Sequence, residues 1–430
     1  MPREDSKAGG GTDASTLPYA DTTWPAPPAA KSATAQPLQA NLELICLAEQ
    51  IRPRSLANRI WSELAQSIRA HSLIAVTVFI YWAAAIGISE LVGVGSVGYL
   101  DVLTAGLGAT TIMYFGGLLT LYLAYIMIVV HPKRPVLYLW KDLTSRILTL
   151  RRLCTALPVV LLLPMLISSY GSLKLEIPLL RPYDWDPSLA RLERLINGGY
   201  QAWEWLQPLL GFPLATWSLN AVYNSWYLVF YGILFWQLAS TSRPDLRMRY
   251  LLVCVLQWAI LGNLLGTLMS SAGPAFYGRL VEGSDPYTPL MQYLHSADSV
   301  RPIWALKTQD FLWQCYAKRE FLVGCGISAM PSMHVATSFS FVLLAFATSR
   351  LLGAVMSVYC ALILIGSVQL GWHYVSDGYI AIIGTWLIWL SVGWLLDRAR
   401  IKEWLAIGPL SQPVPCNGAS RSQNEAGPPP

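Results

Sequence analysis

Two short motifs, each followed by a long apolar run, decide how this chain folds. They read GISAMPSMH at residues 326–334 and GWHYVSD at residues 371–377. Together they supply His334, His373 and Asp377 in a chain that has five histidines. Ionisable residues in membrane helices are costly and usually functional. The motifs therefore predict a polar, chemically active site at the mouths of two neighbouring membrane helices.

The composition is that of a polytopic membrane protein. Of the 430 residues, 54% are hydrophobic and only 13% are charged, about half the charged share of an average soluble protein. Runs of about twenty apolar residues recur along the chain. The net charge of +5 is unevenly distributed, which indicates membrane orientation rather than nucleic acid binding. No basic block interleaved with aromatic residues is present, so nucleic acid is not an expected partner.

Hydropathy predicts an all-α fold, a bundle of about eight transmembrane helices with a long folded outer loop. The predicted spans are residues 72–94, 106–130, 153–173, 218–240, 249–270, 333–349, 351–370 and 377–396. Before them, residues 50–70 alternate arginines with apolar residues, a pattern typical of an amphipathic helix on the membrane surface.

The spans divide the chain into four parts. Residues 1–49 and 397–430 are predicted to be disordered cytoplasmic tails, because they are largely rich in small and polar residues. Residues 50–173 hold the surface helix and three spans, and residues 174–396 form the predicted catalytic membrane domain. No apolar core of a cleavable signal precedes the first span, which is therefore expected to act as the insertion signal.

Loop charges predict the orientation of the bundle. Residues 131–152 carry six Lys and Arg residues against one acid, and short basic loops are retained in the cytoplasm. The alternate segments 174–217 and 271–332 have nearly balanced charges. Both termini are then cytoplasmic, and the two histidine motifs meet on the outer face of what we expect to be the inner (plasma) membrane.

Two segments on that outer face are unusual. Residues 188–206 suit a helix lying in the membrane interface. Residues 271–332 form a connection about sixty residues long, and loops of that length are functional or disordered. Because this one is rich in Tyr, Trp and Phe, we expect it to fold over the site, and it is called the lid segment below.

The cysteines follow the same orientation. Five of the seven fall on the cytoplasmic side or inside a span: Cys46, Cys154, Cys254, Cys360 and Cys416. Only Cys315 and Cys325 share the outer, oxidising side. A disulfide between them is expected, with two free buried thiols as the alternative.

The residue types in the motifs suit phosphoryl transfer. A helix beginning near His373 would bring Asp377 one turn away on the same face, where the carboxylate fixes the imidazole tautomer and frees the other nitrogen as a nucleophile. His334 follows Ser332 at another helix start, where N–H groups and the helix dipole bind anions. Two histidines around an anion pocket describe transfer through a phosphohistidine, with no metal and no cofactor.

The residues alone leave other interpretations open. His334 could cap a helix, and His373 with Asp377 could be a structural hydrogen-bonded pair. The three could also be metal ligands, since the spacing of four is compatible, although no Glu or Cys stands beside them. A transporter would use the same groups at midspan or in broken helices, whereas here they cluster at one face.

The motifs resemble those of a known family. The strings GISAMPSMHVA and GWHYVSDG look like the last two signature motifs of the type 2 phosphatidic acid phosphatase superfamily. Together with SSAGPAFYGRL at 270–280 and YNSWYLVFY at 223–231, they fit the branch that contains fungal inositol phosphorylceramide synthase and its bacterial relatives. The resemblance covers about residues 180–396.

The resemblance implies a role for each motif residue. His373 attacks phosphorus while Asp377 holds it, His334 protonates the departing alkoxide, and Ser332 helps to hold the phosphate. The implied activity is that of an inositolphosphotransferase of sphingolipid metabolism, which moves a phosphorylated headgroup from a phospholipid to a lipid hydroxyl. A lipid phosphate phosphatase, with water as the acceptor, is the alternative.

The chain departs from the phosphatase branch of the family. That branch has Ser-Arg seven and six residues before the nucleophilic histidine, where this chain has Gly366 and Ser367. It also has a Lys, six residues, then Arg-Pro, but Arg301 is preceded at that distance by Leu294. The departures favour the phosphotransferase. Arg279 and Arg301 of the lid segment, with Tyr277, are then the candidates for binding the phosphate.

Overall fold

The computed structural model describes residues 55–94, 98, 102, 109–320, 322 and 324–398, and no β-strand occurs among them. The all-α fold expected from hydropathy is confirmed. The two predicted tails lie outside the described residues, apart from positions 397 and 398.

The described residues form a succession of helices. In chain order, the main ones are α1 Leu56–Ala70, α2 Ser72–Val92, α3 Ala109–Tyr125, α4 Pro135–Asp142, α5 Leu150–Leu180, α6 Asp186–Ile196, α7 Ala202–Leu210, α8 Pro213–Asn224, α9 Trp226–Ala239, α10 Pro244–Leu268, α11 Thr288–Val300, α12 Trp304–Lys318, α13 Met333–Phe346, α14 Arg350–Gln369 and α15 Val375–Leu396. π-Helical turns extend α3 to Val130 and α4 to Ile147, and another lies within α10.

Every predicted span contains helix in its described residues. Five helices are long and apolar enough to cross a membrane, namely α2, α5, α10, α14 and α15. The chain is therefore a multi-pass membrane protein. The segments 106–130, 218–240 and 333–349 depart from the straight spans that hydropathy predicts.

These departures have local causes. Pro132 disfavours the right-handed helical conformation at His131, which takes a φ of 50°, and α3 is followed by α4 at a bend of 118°. The segment 218–240 is interrupted at Ser225, whose hydroxyl donates to Val222 O at 2.6 Å. α13 has 14 residues and is about 21 Å long, shorter than an apolar layer of about 30 Å.

α13, α14 and α15 carry the histidine motifs. α13 packs against both of the others around a core that includes Val335 and Ile363. Gln257 of α10 ties α13 to α15, because its amide donates to Ala336 O at 2.9 Å and to Thr385 Oγ1 at 2.8 Å. The end of α14 and the starts of α13 and α15 lie at one end of this bundle, so the two motifs meet.

The two segments predicted on the outer face are folded in their described residues. Residues 188–206 do not form the single helix that was expected, because two consecutive glycines with positive φ separate α6 from α7. The lid segment contains α11 and α12. A disulfide joins Cys315 of α12 to Cys325, with the Cα atoms 5.9 Å apart.

Candidate active site

His373 and Asp377 meet at the start of α15. The helix begins at Val375, so His373 precedes it and does not lie on its face, as the spacing predicted. Asp377 reaches back from the first turn: its Oδ2 accepts the Tyr374 N–H at 3.1 Å and lies 3.4 Å from His373 Nδ1. This contact is close but lacks the alignment of a hydrogen bond. Since Nδ1 faces the carboxylate, Nε2 is the nitrogen left for chemistry.

His334, the second residue of α13, is within electrostatic range of His373. Its half-buried ring lies 4.5 Å from the ring of Tyr223 and 4.4 Å from that of Trp226, between centroids. Asp377 is fully buried and His373 is 7% exposed. The structure therefore brings the two histidines and the aspartate together in a site with little access to solvent.

Ser332 links the two motifs. It is the N-cap of α13, and its buried hydroxyl accepts the Val335 N–H at 3.5 Å. Its own N–H donates to Asp377 O at 3.3 Å. The helix start predicted from the sequence is present, and its serine stabilises the junction of α13 with α15. A contact between Ser332 and phosphate stays a prediction.

The loop that precedes the lid helices lies between the motifs. Ala329 N–H donates to Ser271 O at 2.8 Å, and Ala275 N–H donates to Gly371 O at 2.9 Å. Gly273 has a φ of +95°, and a Cβ there would lie 2.6 Å from Trp372 O. Only glycine fits this close approach of two backbones, which sets the position of Trp372, the residue before His373.

Asp186, the first residue of α6, was missed by the sequence reasoning. Its buried carboxylate accepts four hydrogen bonds: Oδ1 accepts the Ser271 hydroxyl at 2.8 Å and the Gly273 N–H at 2.9 Å. Oδ2 accepts the Ala272 N–H at 2.9 Å. The Tyr374 hydroxyl donates to Oδ1 at 2.7 Å, so Asp186 joins the loop to the residue that follows His373.

Glu193, two turns further along α6, makes a second attachment to α15. Its Oε1 accepts the Val375 N–H at 2.7 Å and its Oε2 accepts the Tyr287 hydroxyl at 2.8 Å. Burial raises the pKa of this carboxyl to about 7, and Asp377 acts in the same direction. No local pattern distinguishes these two acids, since their partners are up to 188 residues away along the chain.

The phosphate ligands proposed from the lid segment make other contacts. Arg279 lies 3.5 Å from the Asp310 carboxylate, and Arg301 lies over the Trp217 ring at 5.8 Å. Tyr277 is buried. None of these contacts involves the histidine motifs, and a phosphate-binding role for the three stays a prediction.

A cation that was not anticipated lies beside the histidines. Lys174, near the end of α5, is within electrostatic range of His334. Its side chain packs on Gly326, the first residue of the first motif, where a Cβ would lie 3.4 Å from Lys174 Cγ. Within the described part of the chain, Lys174 forms no salt bridge.

The signal for Lys174 was present in the sequence. Residues 174–182 read KLEIPLLRP, which is a Lys, six residues, then Arg-Pro. The expectation that this phosphatase-type spacing is missing, which was based on Arg301 and Leu294, was therefore wrong. Arg181 is bound to the Asp184 carboxylate at 3.2 Å and to Leu268 O at 2.5 Å, so Lys174 is the less engaged of the two cations.

Comparison with known proteins identifies one family. Residues 187–394 match the family model described as the PAP2 superfamily. No curated protein and no solved structure matches the chain. The match covers both histidine motifs and the lid segment, and it begins after Lys174 and Arg181.

Proposed function

We propose that this chain, whose residues 187–394 match the PAP2 superfamily model, transfers a phosphorylated headgroup from a phospholipid to a lipid hydroxyl through a phosphohistidine at His373. The match supports a phosphatase or phosphotransferase enzyme; the mechanism and the acceptor are our proposal. The observation that carries it is the convergence of His373, Asp377 and His334 in one nearly closed site.

In the first half-reaction, His373 Nε2 attacks phosphorus and the bond from phosphorus to the lipid oxygen breaks. Asp377, 3.4 Å from Nδ1, fixes the tautomer and stabilises the positive charge that forms on the ring. His334 gives its proton to the departing oxygen. The products are a phosphohistidine and a free lipid alcohol.

In the second half-reaction, the acceptor hydroxyl gives its proton to the neutral His334 while its oxygen attacks phosphorus. The nitrogen–phosphorus bond breaks and its electron pair returns to His373. His334 is protonated again, so atoms and protons balance over the two steps. The residues of the chain supply every group that the reaction needs.

Lys174 is the proposed partner of the phosphate oxygens. Its ammonium makes no salt bridge among the described residues. Both Lys174 and His373 lie within electrostatic range of His334. A charge-assisted hydrogen bond from lysine to phosphate is stronger than a neutral one. Arg279, Arg301 and Tyr277 are secondary candidates, because each has other partners.

The lid helices α11 and α12 lie against the residues before His373, which favours a lipid over water as the acceptor. Gln309 of α12 donates to Leu370 O at 2.9 Å, and Met291 of α11 lies beside Gly371. The lid helices thus contact the residues just before His373, which is 7% exposed. Excluding water suppresses hydrolysis of a reactive intermediate.

We further infer that the site faces the outside of the plasma membrane, with both termini in the cytoplasm.

A lipid phosphate phosphatase is the second candidate, because Lys174 and Arg181 have the spacing of the phosphatase branch. Ser367 stands against it. This buried serine occupies the position of that branch's arginine, and its hydroxyl donates to Leu364 O at 2.7 Å. The chain thus has one phosphatase-type element and lacks the other.

One assay separates these functions. Purified protein is incubated with a phospholipid labelled in its phosphate, with and without ceramide or diacylglycerol, and the products are identified by mass. The transferase yields a new phosphorylated lipid that depends on the acceptor. A large excess of free phosphate or phosphoalcohol, unaffected by the acceptor, contradicts it in favour of the phosphatase. Activity that EDTA abolishes and Zn²⁺ or Mn²⁺ restores contradicts a histidine nucleophile.

A further inference from the structure

Two aromatic side chains at the junction of α8 and α9 enclose part of the His334 ring. The Tyr223 ring is nearly parallel to the imidazole, at 4.5 Å and 19°. The Trp226 ring lies at 4.4 Å and 45°. Both side chains are buried, with 5% and 6% exposure. Tyr223 and Trp226 are called the aromatic collar below.

Each member of the collar is itself held in place. Trp226 Nε1 donates to Thr337 Oγ1 at 2.7 Å, which attaches the indole to α13 one turn beyond His334. The Tyr223 ring is also nearly parallel to that of Trp372, at 6.5 Å and 10°. Since Trp372 directly precedes the nucleophile, Tyr223 contacts His334 on one motif and the neighbour of His373 on the other.

The collar provides the nearest aromatic contacts of the His334 ring, with Tyr227 further away at 6.2 Å between ring centroids. No hydrogen bond to either ring nitrogen of His334 is found in the described part of the chain, whereas His373 has Asp377 beside it. A catalytic base or acid is ordinarily oriented by a third group. Aromatic faces supply that orientation by contact, and they also attract a cationic ring. The aromatic faces can therefore contact a general acid that is charged in one half of the cycle and neutral in the other.

We propose that Tyr223 and Trp226 are positioning residues for His334, holding its imidazole in the orientation from which it protonates the departing lipid oxygen. The proposal rests on the proposed function. It predicts a loss that depends on the leaving group, because an alkoxide needs the proton and a nitrophenolate does not. A purely structural role would lower the rate of leaving-group release from both substrates together.

The test compares two donors of the same phosphorylated headgroup, a phospholipid and a nitrophenyl ester. Tyr223→Leu and Trp226→Leu are expected to lower the single-turnover rate of headgroup transfer from the phospholipid to His373 by about 10²-fold, within the range of general acid catalysis, and to leave the burst of nitrophenol release from the aryl ester nearly unchanged. His334→Ala gives the same pattern. Tyr223→Phe keeps the ring face and retains both activities.

Two control variants separate a selective effect on His334 from a general loss of a buried ring. Phe341→Leu removes another buried ring from α13, away from His334, and is expected to show no preference between the donors. Trp226→Phe keeps a ring but loses the bond to Thr337, so it gives a smaller selective loss even if Trp226→Leu does not fold. Equal losses on both donors, or no loss on either, overturn the collar. Equal losses in His334→Ala instead overturn the acid role in the proposed function, and the collar with it.

Discussion

The two histidines of the candidate site are held by opposite kinds of chemistry. His373 is surrounded by carboxylates, with Asp377 at its ring and Asp186 and Glu193 bound to the two residues that follow it. His334 lies among aromatic rings. A nucleophile must keep one tautomer, which a carboxylate enforces. A general acid must gain and lose its charge in each cycle, and aromatic faces contact the ring in both its neutral and its cationic form.

Replacing each histidine in turn is expected to give the largest difference between the two. His373→Ala is expected to lower turnover of every donor by about 10⁴-fold or more, because no other nucleophile is available for the covalent step. His334→Ala slows the first half-reaction, transfer to His373, only with donors that have alkoxide leaving groups, and it slows the second half-reaction with every donor. Kinetics of folded, monodisperse protein measure both. Near wild-type turnover by His373→Ala would remove the basis for assigning it as the nucleophile.

The attachment of α6 to Tyr374, the residue after His373, can be broken at Asp186. An Asn side chain keeps one acceptor oxygen and presents an NH₂ group to the Ala272 N–H, so Asp186→Asn is expected to lower the free energy of unfolding by about 2–4 kcal/mol. Asp184→Asn, the control, breaks only an exposed pair with Arg181 and changes it by less than about 1 kcal/mol. Denaturant unfolding in detergent provides both values, and equal effects would contradict the role of Asp186.

The second attachment depends on pH. Burial raises the pKa of the Glu193 carboxyl from an ordinary 4.5 to about 7, so the folded protein binds this proton more tightly than the unfolded chain. The resulting stabilisation is complete below about pH 4.5 and is lost as the pH rises through about 7. It amounts to at most about 3 kcal/mol.

Comparing wild type with Glu193→Gln measures this contribution. Between about pH 5 and 8, the wild type should lose stability relative to the variant as the pH rises. Melting temperatures recorded across this range test the sign directly. Parallel curves for the two proteins would show that Glu193 does not hold a proton in the fold.

The sequence predicted what depends on local pattern. Apolar runs located the helices, and two motifs of fewer than ten residues located His334, His373 and Asp377, because each pattern is contiguous along the chain. The interruption at Ser225 was not predicted, since hydropathy averages over a window and does not register one hydroxyl bonded to Val222 O.

The residues that hold the site were harder to predict, for two different reasons. Asp186 and Glu193 look like ordinary loop acids, because the N–H and hydroxyl groups they bind come from distant parts of the chain. Lys174 was predictable from its spacing to Arg181, because both lie in one contiguous stretch at residues 174–182. Residues whose partners are distant along the chain are therefore harder to predict from the sequence than the motif residues His334, His373 and Asp377.

The central claim, a covalent phosphohistidine at His373, is tested most directly by trapping it. His334→Ala should still accept the phosphorylated headgroup from a nitrophenyl donor, but it lacks the base that activates the acceptor. After rapid quenching at alkaline pH, peptide mass spectrometry of this variant should find the adduct on His373, and His373→Ala should carry none. An unmodified His373 in a variant that continues to release nitrophenol, or an adduct on another residue, would contradict the account.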